Sequence, residues 1–316
     1  MSLQQKVDKK IHVIDDGEAR LEAALRAFDG DLLQRLLDLL KKLDQEGGVL
    51  KPTGRNITTV SGFIKEVVAA MRNPQYLDAI DDYLARFEQV LQINYSIAET
   101  VTGKRVPVSS LVNAELKRIV GELKDTLTNY KNIDRAVRLP IQQQLYRHVV
   151  FGSSFVEAES VLRSFFSTNP GKLGHMQRWA GQLAKDALNG FDGAVNWEIT
   201  KETGLDGFRI VGSLIDTSRQ TCRHMVTAPA SVTTTSKTGA VTTSGNMYAD
   251  LAVGPGMYRI ADIPIIIARS QGLPGWNPNT TPATYFQYRN GYQCRHQLIP
   301  FLLGAAKQKK QVEELN

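Results

Sequence analysis

The sequence predicts an α+β protein. A mainly helical N-terminal region, residues 1–195, precedes a small C-terminal α+β domain, residues 196–305, with a short antiparallel sheet and then a polar tail, 306–316. Two contrasting patterns and the composition predict it. In the first region apolar residues recur at intervals of three and four, the spacing of one helix face. In the second, Gly, Pro and Thr become dense, and short apolar or alternating runs are bounded by turn residues. The 316 residues are 42% hydrophobic and 22% charged, which gives a sizeable core and excludes wholesale disorder.

The first stripe is Leu21, Leu25, Phe28, Leu32, Leu36, Leu39 and Leu43. It predicts one helix, or a helix pair divided at Asp29-Gly30-Asp31 with Asp31 as the second cap. Gly47-Gly48 ends it, and Lys51-Pro52-Thr53-Gly54 reads as a turn. A second stripe follows Asn73-Pro74: Leu77, Ile80, Leu84, Phe87, Leu91, Asn94 and Ala98, stopping at Gly103 and Pro107. A third starts at Ser109 or Ser110 and runs through Val112, Leu116, Ile119, Leu123 and Leu127. A fourth covers 133–150, with Pro140 expected to kink or split it. Shorter helices are expected over 155–166 and 172–188. Such stripes predict helices packed within one chain, or a stripe that docks on a larger ring or shell. No fixed-period repeat suggests a solenoid.

In the second region, residues 208–215 read as a strand, and 257–260 and 263–268 as short strands introduced by Gly254-Pro255-Gly256. Residues 227–245, rich in Ser and Thr, read as a long hairpin or loop, with Ser236-Lys237-Thr238-Gly239 at the tip of a protruding hairpin. Met1–Arg20 lacks the apolar core of a secretory signal, and no run approaches eighteen apolar residues, so no membrane span or membrane partner is expected. Two cysteines in such a chain point to intracellular assembly with reduced thiols.

The net charge of +6 is concentrated late: from Asp206 onward, eleven Lys/Arg face six Asp/Glu, a surplus of +5. Arginines dominate that surplus. Arg209, Arg259, Arg269 and Arg289 are candidates to face a polyanion through phosphate contacts. The alternative is internal pairing with Asp206, Asp216, Asp250 and Asp262.

Both cysteines sit in a repeated tripeptide, Cys222-Arg223-His224 and Cys294-Arg295-His296. Three readings stand. Cys222, His224, Cys294 and His296 form a complete tetrahedral zinc shell, since Cys-x-His on a strand puts both side chains on one face, although ligands in known fingers are spaced more widely. Cys222 and Cys294 form a disulfide after assembly. Or the two tripeptides are structural positions on neighbouring strands, with thiols in the core. In the last two readings no cofactor is needed.

The segment Gly212–Cys222, with Asp216 and Arg219 ahead of Cys222, resembles the first signature block of the phage Mu F-like minor head proteins. Gly291, Tyr292, Cys294, Arg295 and His296, followed by Leu298-Ile299-Pro300, resemble that family's closing block. Between them lies a Gly/Pro-rich stretch, 272–278, as in the family. The resemblance covers residues 195–303; the Thr/Ser insertion and the lack of a second cysteine near Cys222 depart from it. It implies a structural minor capsid protein of a tailed bacteriophage, present in few copies per virion. Such a protein sits inside the head beside the portal protein and the major capsid or scaffold protein, having been assembled in the host cytoplasm. It acts in head morphogenesis and in DNA packaging and ejection, meeting packaged DNA through non-specific phosphate contacts.

The alternative is an ADP-ribosyltransferase-like or nuclease-like enzyme carried in the head. Glu157-Ala158-Glu159 has a transferase-like spacing but lies in a predicted helix. Arg219, His224 and His296 would line a cationic pocket for a phosphodiester. No phosphate-loop, zincin or nucleophile-elbow motif is present. His12, His148 and His175 have no partner cluster. A non-enzymatic protein is therefore expected.

Overall fold

The computed structural model describes residues 1–129, 139–166, 174–212, 214–215, 218–235, 241–289, 296–305, 312–313 and 315. It is mainly helical with a small antiparallel sheet. The chain divides into two compact units that are not continuous in sequence. The first gathers Met1–Ile14, Phe87–Lys117 and Asp186–Asn316, and the second Asp15–Arg86 and Arg118–Lys185. Four helices contribute a stretch to each: α1 (Leu3–Leu40), α4 (Pro74–Thr102), α5 (Ser110–Thr128) and α8 (His175–Thr203).

α1 is one continuous helix of 38 residues, so the expected break at Asp29-Gly30-Asp31 is absent. Gly30 costs about 1 kcal/mol against alanine. Leu25, Phe28, Leu32 and Leu36 are all buried on either side of it, each contributing roughly 1.5–3 kcal/mol. Burial outweighs propensity. In the second unit α1 gives way to a tight hairpin, β1 (Gln45–Glu46) and β2 (Val49–Leu50), turned by Gly47 and Gly48, both at positive φ. Thr53 then caps α2 (Gly54–Ser61), accepting from the Asn56 amide at 3.2 Å, and α3 (Phe63–Met71) follows. Neither helix was anticipated. Pro140 sits in the first turn of α6 (Leu139–Val150), where it is tolerated. Residues 133–138 of that expected stripe lie outside the described residues. α7 (Phe155–Phe166) completes the set. Tyr83 and Tyr76 tie helices by donating to the carbonyls of Ala184 and Leu127, at 2.6 and 2.8 Å.

In the first unit α8 runs to Thr203, so the expected boundary at 195/196 falls within a helix, and strand structure begins at β3 (Gly207–Val211). β3 is the centre of a three-stranded antiparallel sheet, flanked by β6 (Met257–Arg259) and β7 (Gln297–Phe301). Phe208 pairs with Tyr258 on one side and Pro300 on the other. Its ring is the hub of the domain core, with centroids 5.6, 5.7 and 5.5 Å from Tyr258, Tyr285 and Phe286. The Thr/Ser segment forms a hairpin, β4 (Val232–Thr235) with β5 (Val241–Ser244), whose tip lies outside the described residues.

Two expected strands are helices. Cys222 and His224 lie on α9 (Gln220–Thr227). Residues 263–268 belong to α10 (Ile263–Ser270), which opens with Pro264 in its first turn after a 3-10 turn at Ile260–Asp262. A short apolar run is compatible with either structure, and the proline after Asp262 is a helix-start signal. A last short helix, α11 (Tyr285–Tyr288), precedes the closing block.

Candidate functional site

β3 and β7 bring the two candidate blocks together. They pair from Gly207↔Phe301 to Val211↔Gln297, so Gly212 and His296 follow at the same end. Gly212 has φ +131, and a Cβ there would stand 3.2 Å from the His296 ring and 3.4 Å from its Cα. The backbone conformation favours glycine there, and the close approach of His296 adds to that preference. Gly291, Tyr292, Cys294 and Arg295, with Asp216, lie outside the described residues.

Helical placement removes the strand argument for a zinc pair at Cys222 and His224. Two residues along a helix is a rotation of roughly 200°, so their side chains diverge rather than share a face. Both are nonetheless buried. His224 Nδ1 accepts the Met247 backbone N–H at 3.2 Å, while Asn246 Nδ2 donates to the His224 carbonyl at 2.7 Å. Burial pushes the His224 imidazole below its ordinary pKa, with an Asn246 hydrogen bond opposing. It is a neutral ring spanning α9 and the 246–250 turn. Arg219 donates to the Gly275 carbonyl at 3.0 Å, and Arg223 to the carbonyls of Ser218 and Ile215 at 3.0 and 2.7 Å. These arginines tie loops to α9. Glu157, the candidate transferase carboxylate, accepts from Ser154 N and Oγ, both at 3.0 Å, in a capping box at the start of α7.

The four candidate DNA-facing arginines separate. Arg259 is the most exposed, its side chain 55% accessible and 3.7 Å from Asp262. Arg269 is held two-pronged by Asp250 at 2.6 and 2.7 Å. Arg209 is half-buried and donates to the Val312 carbonyl. Arg289 is a correction: it is 3% exposed and cannot face DNA.

Arg289 instead enters a buried ionic cluster that sequence reasoning missed. Asp192 on α8 accepts Lys10 Nζ at 2.9 Å and Asn94 Nδ2 at 2.9 Å on one oxygen. Its other oxygen accepts the Arg289 guanidinium at 2.7 Å. Arg289 also donates to the Asn189 carbonyl at 3.0 Å, and Lys10 to Asn94 Oδ1 at 3.0 Å. Lys10 and Asp192 are fully buried. Burial alone would raise the Asp192 carboxyl, but Lys10 and then Arg289 pull it below the ordinary range. Burial pushes the Lys10 ammonium down, with Asp192 opposing. Arg289 has φ +47, a left-handed conformation that an arginine adopts only at a cost, and its ion pair holds it there. Next to Asp192, a Cβ at Gly193 would come within 2.0 Å of the Phe286 carbonyl oxygen, so the backbone of α8 lies directly against α11. The signal was legible: Leu3, Val7, Lys10, Ile14 and Leu21 share one stripe of α1, and Asn94 lies on the apolar stripe of α4. A lysine and an asparagine on buried faces need a buried partner.

No family model, curated protein or solved structure matches the chain. Among the described residues, no cluster of three or more His, Cys, Asp and Glu is placed to hold a metal, and no helix is long and apolar enough to cross a membrane.

Proposed function

We propose that the chain is a structural, non-enzymatic minor head protein of a tailed bacteriophage, associated with the portal vertex and acting in head morphogenesis and DNA packaging or delivery. One observation carries the reading. The two segments that resemble the family's signature blocks lie far apart in sequence, yet they flank paired strands and touch where Gly212 leaves room for His296. A chance resemblance in two unrelated loops would not require such a contact. On this reading the helices meet the portal and the capsid or scaffold, and the C-terminal domain meets DNA phosphates without sequence preference. Arg259 is the best exposed of its candidate contacts. His224 supports a structural role rather than an acid–base one, because its Nδ1 is engaged by a backbone amide inside the core.

The test is the composition of purified heads. Quantitative mass spectrometry is expected to find the chain in a few copies per portal, and its absence from heads would overturn the proposal. A portal or terminase gene beside its own would support it.

A further inference from the structure

Five of the large hydrophobic side chains left in solvent among the described residues gather in one place. Val49 is 44% exposed, Tyr146 44%, Val150 39%, Phe151 80% and Val156 72%. Tyr146 and Val150 are one turn apart at the end of α6, Phe151 follows directly, and Val156 opens α7. β2 is fastened to this corner, because Leu50 N donates to Ser153 O at 3.0 Å and Phe155 N to Gly48 O at 2.8 Å. Val49 Cγ1 lies 3.8 Å from where a Cβ on Gly152 would stand. The Ser154–Glu157 capping box fixes the start of α7. The patch is therefore built on held backbone.

Together these side chains expose roughly 500 Å² of apolar surface, at the upper end of what soluble monomers leave open and a size associated with interaction. Two such patches face to face remove about 1,000 Å² before any rim is counted, the lower bound of a specific interface. The rim carries both signs. Arg147 and Glu157 are exposed beside the apolar residues, and Lys51 pairs with Glu46 at 2.8 Å next to β2. A surface meeting its own copy across a two-fold axis cannot tolerate a rim of one sign, whereas a balanced rim pairs with itself. Size and charge thus select the same occupant.

We propose that this patch is a two-fold interface through which two copies of the chain associate. The full chain is expected to be dimeric by light scattering and sedimentation equilibrium over about 1–100 μM. Phe151→Asp with Val156→Asp is expected to weaken association about 30-fold or more, as loss of a central aromatic does. Its circular dichroism should be unchanged, because both side chains are exposed on a single copy, and its melting temperature should match that of the parent at concentrations where the parent has dissociated. Ile265→Asp, at an exposed position outside the patch, is expected to leave the dimer intact. A monomer throughout that range, a dimer insensitive to the Phe151 and Val156 changes, or growth beyond the dimer would each overturn the proposal. The outcome is independent of whether the chain occurs in phage heads.

Discussion

Replacing Asp192 by Asn keeps the side-chain volume and removes the charge that Lys10 and Arg289 share. At an effective dielectric of about 20, contacts at 2.9 and 2.7 Å are each worth roughly 6 kcal/mol of Coulomb energy before desolvation. Desolvation of the three ions offsets much of that. The substitution, however, leaves both cations buried and facing each other, and removing one partner of a buried pair costs about 3–5 kcal/mol. Against a total stability of about 5–15 kcal/mol the loss is severe. At about 2–4 °C per kcal/mol it lowers the melting temperature by roughly 10 °C. Urea and thermal unfolding of the full chain, followed by circular dichroism, measure it. The triple variant Lys10→Met/Asp192→Leu/Arg289→Met is expected to regain at least half of the loss, because replacing a whole buried ionic cluster by apolar groups is close to neutral. An Asp192→Asn protein within about 1 kcal/mol of the parent would refute the reasoning. The Asp192 carboxyl is depressed in the fold, so its contribution is complete above the ordinary aspartate value of about 3.9 and disappears only as pH falls through the folded value. Measurements near neutrality read it in full.

Gly193→Ala is expected to destabilise by about 3 kcal/mol, at the upper end for overpacking, because Phe286 O lies 2.0 Å from the new carbon; a melting temperature unchanged from the parent would contradict that contact. His224 has a folded pKa below its ordinary 6.5, so the unfolded chain takes up the proton first and stability falls as pH drops below that value. Melting at pH 7.5 and 5.5 is expected to show the drop, and His224→Gln to reduce it. Gly212→Ala is expected to cost about 1–3 kcal/mol from its backbone conformation and the His296 contact, and an ordinary denaturant midpoint would argue against it. In low salt the chain is expected to bind duplex DNA without sequence preference. Arg259→Ala should flatten the salt dependence by about 0.9 in slope, while Arg269→Ala changes it less because Asp250 already holds that guanidinium.

The stripe from Leu21 to Leu43 was legible because burial at helical spacing decides the structure there, though Leu40 rather than Leu39 is the fully buried member. α2 left no such trace: its sequence, GRNITTVS, is mostly polar, and its helix rests on the Thr53 cap and the buried Asn56. α3 did carry the pattern, in the buried Phe63, Val67 and Ala70, but over little more than two turns. Residues 263–268 misled because an unbroken apolar run has no period, and only Pro264 after Asp262 marked the helix. At the candidate site, the neighbouring relation of the two blocks followed from strand-like residues on either side of them. The secondary structure of Cys222-Arg223-His224 did not, since that segment is helical through packing of Cys222, His224 and Met225 into the core. Arg289 was misread for a related reason. Arginine content gives a surface charge only when no buried carboxylate claims it, and Asp192 lies 97 residues away in sequence.

The discontinuity of the first unit sets a timetable for synthesis. Lys10 leaves the ribosome early, yet Asp192 lies beyond the midpoint of the chain and Arg289 near its end. At about 5–20 residues per second the opening helix waits roughly 10–40 s for its acidic partner, and longer for the arginine. During that interval Leu3, Val7, Val13 and Ile14, all buried in the finished protein, can pack only on the part of the unit already made, Phe87–Lys117, where Lys10 meets Asn94; the carboxylate has yet to appear. The same ammonium that is desolvated at the end serves as a solubilising group at the beginning. A chain released short of residue 192 lacks the carboxylate that makes burial of this lysine tolerable.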